Sequence, residues 1–181
     1  MAKRKNPVIA ADIALQKEGE RQALLIHGAA ALALYRHYGW RKNRILDLLD
    51  KTEEVWNECA EDIDHSMIEM CETETGIEIQ CGDGKTWKDL HYLNSKIDPG
   101  RMTPAKWVYM RRQQMKWMAP QVVAGILLAL HRKCGFGFKR CARIYGQIQE
   151  IQQEYSQDPK KVAAACLEET NVRIREKLRR K

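Results

Sequence analysis

The stretch Leu32-Ala33-Leu34-Tyr35-Arg36-His37-Tyr38-Gly39-Trp40 returns 96 residues later as Leu128-Ala129-Leu130-His131-Arg132-Lys133-Cys134-Gly135-Phe136. Each copy is an apolar helix that turns basic and stops at a glycine followed by an aromatic residue. Glycine suits that stop, because the left-handed conformation closing a helix costs it nothing sterically. Beyond the turn the register holds: Arg44 meets Arg140, Ile45 meets Cys141 and Leu48 meets Ile144. Further on, Cys71-Glu72-Thr73-Glu74-Thr75-Gly76-Ile77-Glu78-Ile79 meets Cys166-Leu167-Glu168-Glu169-Thr170-Asn171-Val172-Arg173-Ile174 at an offset of 95. Two matches in one order and at nearly one offset point to an internal duplication. The second stop is Gly76 in one copy and Asn171 in the other, and Asn is the usual substitute for Gly there.

Hydrophobic spacing around these anchors predicts an all-α fold: internally duplicated helix–turn–helix units packed as one domain over 1–181. The first copy spans about 27–79 and the second about 121–174. A connecting segment of about 80–120 holds a basic-aromatic helix, and a basic tail covers 175–181. Asn6-Pro7 opens a first helix that runs to about Tyr38, with Gly19 and Gly28 as sites for a bend. A second helix starts near Arg41. The chain stays helical from about Glu53 to Thr75, with a break near Asp64 suggested by Asp158-Pro159 in the other copy. Ile77, Ile79 and Cys81 alternate ahead of Gly82-Asp83-Gly84, a pattern compatible with a small β-hairpin near 77–87. Thr103-Pro104 caps a helix to about Met118, and Pro120 is expected to end it and open the next. Helices over Phe138–Tyr155 and Pro159–Thr170 complete the second copy.

Composition narrows the function classes. The 181 residues are 44% hydrophobic, enough for a packed core. No apolar run reaches the length of a membrane span, and the N-terminus lacks an apolar signal core, which predicts a protein of the cytoplasm. The cysteines (Cys59, Cys71, Cys81, Cys134, Cys141, Cys166) form no CxxC pair, so free thiols are expected. Cys71, Cys81 and His65 or His91 are the only candidate zinc ligands, and they lack the close pairing of structural sites. No metal or cofactor is expected. The histidines lie far apart in sequence and outside any nucleophile or metalloprotease motif, so no catalytic set emerges. Gly84-Lys85-Thr86 resembles the end of a phosphate loop, but the earlier glycine it needs is Ile79.

Charge is the more informative property. The net charge is +7, with eleven acids and one base between Asp50 and Glu78, and five bases and no acid between Arg101 and Trp117. This separation favours a polyanion or a partner with charged grooves of its own. Candidate contact residues are Arg36, Arg41, Lys42, Arg44, Arg132, Lys139 and Arg140 around the two turns. Arg111, Arg112 and Lys116 join them from the basic-aromatic helix, where Trp107, Met110, Gln114 and Trp117 share a face suited to core packing. Glu54, Glu58, Glu61 and Asp62 form a candidate acidic surface that mimics a nucleic-acid backbone. The plainer alternative is that these charges only solvate helix faces.

The motif Leu34-Tyr35-Arg36-His37-Tyr38-Gly39-Trp40-Arg41-Lys42-Asn43-Arg44-Ile45, with its echo over 130–140, resembles small helical proteins of phages and prophages of Gram-positive gut bacteria. Together with Trp56-Asn57-Glu58-Cys59 and Met67-Ile68-Glu69-Met70-Cys71-Glu72, it makes the chain similar to a family of type II-A anti-CRISPR proteins. The resemblance implies a non-enzymatic inhibitor acting in the bacterial host cytoplasm. Its partner would be the guide-RNA-loaded type II nuclease, with or without double-stranded DNA. The rival reading is a phage DNA-binding or regulatory protein that uses the paired basic turns on duplex DNA. A homodimer is compatible with either.

Overall fold

The computed structural model describes residues 6–61, 66–79, 88 and 102–174. Its regular structure is α-helical: α1 (Pro7–Tyr38), α2 (Lys42–Glu61), α3 (Met67–Thr75), α4 (Pro104–Met115), α5 (Met118–Cys134), α6 (Phe138–Glu154) and α7 (Pro159–Thr170). No strand occurs among the described residues, and Ile77 and Ile79 are buried in irregular backbone. The rest of the suggested hairpin, the glycine-lysine-threonine segment, Cys81, His65, His91, Asp62, Asp64 and the tail after Ile174 lie outside the described residues. Among those described, no helix is long and apolar enough to cross a membrane.

Local chemistry sets the helix ends. The Asn6 side chain accepts from the Val8 amide at 3.0 Å, Thr103 from Lys106 at 3.3 Å, and Asp158 from Lys160 at 2.9 Å. In each case proline follows the cap, where its missing N–H leaves nothing unpaired. Ser66 caps α3 through the Glu69 amide at 3.1 Å, a signal in Ser66-x-x-Glu69 that the spacing argument missed. Pro120 corrects another expectation: α4 ends at Met115, and Pro120 falls inside the first turn of α5. First-turn amides have no helical acceptor, so proline is tolerated there. Gly19 and Gly28 do not interrupt α1, which is one continuous helix.

Residues 25–34 of α1 and 122–130 of α5 are buried throughout, so these segments form two central rods wrapped on all sides. The helices around them are exchanged between the copies. α1 of the first copy packs on α6 and α7 of the second, while α5 of the second packs on α2 and α3 of the first. Helices adjacent in sequence touch far less. The two rods also pack on each other, and α4 lies against α1.

Close approaches mark these contacts. A Cβ on Gly28 would lie 2.7 Å from Val162 Cγ1, and one on Gly125 would lie 3.0 Å from Met67 Sδ. Val162 and Met67 are counterparts at the offset of 95. The third helices repeat a polar pattern as well. Thr75 donates to the Cys71 carbonyl and accepts from the Ile77 amide; Thr170 does the same with Cys166 and Val172.

Candidate functional site

The duplicated turns meet. Gly39 and Gly135 take φ of 65° and 69°, and the following amides reach back to the Leu34 and Leu130 carbonyls at 3.1 and 2.9 Å. This fold-back drives Trp40 and Phe136 into the interior, where each is 3% exposed. The rings, counterparts at the offset of 96, touch edge to face with centroids 5.8 Å apart. Tyr38 joins them 5.4 Å from Phe136. A pseudo-twofold axis therefore runs through this aromatic contact.

Bases cover it symmetrically. The Arg44 guanidinium lies 4.1 Å from the Trp40 centroid, and Arg140 lies 5.9 Å from that of Phe136. Arg41 stacks over Tyr35 at 5.5 Å. Lys42 and Lys139 are exposed in the first turns of α2 and α6. Neither first turn contains an acid, and Gly137, the N-cap of α6, supplies no side-chain cap. Bases crowd the positive end of a helix dipole here, an arrangement that an anion relieves. Exposed Phe138, with its ring over Gly76, adds an aromatic surface beside Lys139 and Arg140. Sequence reasoning overlooked it, although it takes the place of Lys42 in the repeat.

The site is narrow. Laid end to end, the three ring and guanidinium distances keep Arg44 and Arg140 within about 16 Å of each other, far below the roughly 34 Å between two half-sites on a duplex. The two turns thus form one patch, unlike the separate reading heads of a paired helix–turn–helix protein.

The other candidate residues are placed elsewhere. Arg36 reaches across to the second copy, with bonds to Glu154 at 2.8 Å, to Glu169 at 2.9 and 2.5 Å, and to Tyr155 at 2.9 Å. Its counterpart Arg132 binds Glu74 through Nε and Nη2 and approaches Glu58 with Nη1 at 3.5 Å, while Lys133 meets Glu58 at 2.7 Å. Glu58 corresponds to Glu154, and Glu74 to Glu169. The two arginines are therefore reciprocal ties between copies. These pairs, hydrogen bonding first, raise both arginine pKa values and lower those of Glu58, Glu74 and Glu169.

Of the acidic candidates, Glu54 is exposed, Glu58 is engaged as described, and the side chains of Glu61 and Asp62 lie outside the described residues. Arg111 is held by Asp12 at 2.8 Å and stacks on Trp107, whose indole N–H donates to the same carboxylate at 3.1 Å. Arg112 is exposed on α4, and Lys116 is exposed at its C-cap. Asp12 and Tyr38 sit at opposite ends of α1, roughly 39 Å apart along a straight axis. The α4 bases consequently do not join the turn patch. Trp117 and Met110 are buried, as core packing requires.

The thiols of the described cysteines are mostly buried. Burial pushes Cys71 up to about 12 and Cys141 up to about 11, which keeps both protonated. Among the described residues no three His, Cys, Asp or Glu side chains gather where a metal ion would bind. Comparison with protein families, with curated proteins and with solved structures returned no match.

Proposed function

We propose that the chain is a non-enzymatic binding protein that seats the Trp40–Phe136 face on a nucleic-acid backbone held by a guide-loaded type II RNA-guided nuclease, and so prevents cleavage of target DNA. The observation that carries this reading is the edge-to-face contact of the two rings, which gathers Arg41, Lys42, Arg44, Lys139 and Arg140 into one patch. Such a nuclease binds its heteroduplex through shape and backbone, so its complex displays phosphates to a compact basic surface. The resemblance of both turn motifs to type II-A anti-CRISPR proteins supplies the choice of partner. Purified protein should stop cleavage by the guide-loaded enzyme at near-equimolar ratio, and the double variant Arg44→Glu/Arg140→Glu should restore it. Undiminished cleavage at a large excess of protein would sink the proposal.

The absence of acids in the first turns of α2 and α6 favours a second reading, direct binding to duplex DNA. It predicts DNA affinity without nuclease that falls steeply with salt. If about four phosphates are neutralised, log K should fall with a slope near about −3.6 against log salt.

A further inference from the structure

The duplication breaks down at one cavity. A space of about 300 Å³ lies between α1, α2 and the start of α5, lined by His27, Leu49, Thr52, Trp56, Met118 and Val122, with Glu53 and Asn57 on its α2 side. At the offset of 96, His27 corresponds to Val123, Thr52 to Ile148 and Trp56 to Gln152. One copy thus has aliphatic side chains where the other has an imidazole and a hydroxyl, and it lacks the indole. Core drift usually exchanges one apolar residue for another, because buried polar groups are costly.

His27 is 8% exposed, and its Nδ1 lies 2.8 Å from the Ala23 carbonyl oxygen. A carbonyl only accepts, so Nδ1 carries the proton and the neutral ring turns Nε2 into an acceptor. Burial lowers the His27 pKa and so favours this neutral form. Nε2 meets no donor among the described residues. Thr52 donates its hydroxyl proton to the Leu48 carbonyl at 2.8 Å, so it offers none to Nε2. Trp56 forms the rim, 37% exposed, with its ring edge 3.4 Å from where a Cβ on Gly125 would stand.

We propose that this cavity is a binding site for a small, flat, largely apolar aromatic molecule carrying one N–H or O–H group, which it donates to His27 Nε2 while lying against Trp56. The volume is at the lower end of small-ligand pockets and suits one or two fused rings. The apolar part of the lining supplies affinity, and the His27 acceptor fixes orientation.

Titration calorimetry with indole and 1-methylindole tests this, since the two differ by the donor alone. Indole should bind saturably in the submillimolar to low millimolar range, about tenfold more tightly than 1-methylindole. His27→Phe should abolish the preference. Trp56→Ala, at the rim, should weaken both ligands while the far-ultraviolet circular dichroism of the variant reports its fold. In histidine-labelled protein, the His27 Nε2 nitrogen resonance should move with indole and stay with the methylated compound. Equal affinity for the two ligands in the unaltered protein would overturn the role of His27. No saturable indole uptake up to its solubility limit would overturn the site.

Discussion

Arg36 and Arg132 are chemically the same residue used twice, each clamping carboxylates that belong to the other copy. Charge-assisted bonds of this kind are worth about 1.5–3 kcal/mol when shielded, and partial exposure reduces that. Arg36→Ala and Arg132→Ala should therefore each lower unfolding free energy by about 1–2 kcal/mol in urea. Sharing no partner, they should add in the double variant.

The same residues govern acid behaviour. Glu74 and Glu169 have pKa values held below the ordinary 4.5 by their arginines, so their contribution is complete above that pH and is lost as pH falls through the lowered values. His27 acts earlier. Its folded pKa lies below 6.5, so the unfolded chain takes up the proton first and stability declines as pH drops from 6.5. Glu53 lines the same cavity. Urea midpoints should fall in two stages, one below about pH 6.5 and one below about 4.5. His27→Phe should remove the first stage, and the two arginine variants should flatten the second.

At the scale of the element, α1 and α5 are interior rods whose glycines admit a neighbouring helix. Alanine at Gly28 would force its methyl group onto Val162, a stiff β-branched side chain that is fully buried. Gly28→Ala should cost about 1–3 kcal/mol despite its better helix propensity, and Val162→Ala should recover part of that loss. Gly125→Ala presses its methyl group closest on the flexible sulfur of Met67, with Trp56 and Thr52 at ordinary contact distance, so it should be close to neutral by thermal denaturation.

Helices and stops were legible in advance because caps, glycines and apolar spacing act locally: α7 starts and ends where Asp158-Pro159 and Asn171 place it. Exchange between copies was not legible, for a physical reason. In a duplicated chain Glu58 and Glu154 are equivalent partners for Arg36, as are Glu74 and Glu169. No pattern distinguishes packing within a copy from packing across copies. The turn patch was half visible: its bases stand in the motif, but the meeting of Trp40 and Phe136 follows only from the exchange. His27 was invisible as an acceptor, since its meaning lies in the Ala23 carbonyl and the space beside it.

For the whole molecule, exchange makes each half depend on the other. Expressed as separate chains, 1–100 and 101–181, neither half contains the helices that cover its own rod. Each should show reduced helicity or self-associate in circular dichroism and light scattering, and mixing should restore the helical spectrum. Full helicity in an isolated monomeric half would contradict the exchange.

The interleaved rods also set an order of events at the ribosome. The apolar segment Leu25–Leu34 is made early, yet its cover comes from α6 and α7, more than 100 residues downstream. At elongation rates of roughly 5–20 residues per second the gap is on the order of 10 s. For that interval the nascent chain presents one of its most apolar segments uncovered, which makes it a client for holding chaperones until α6 and α7 emerge.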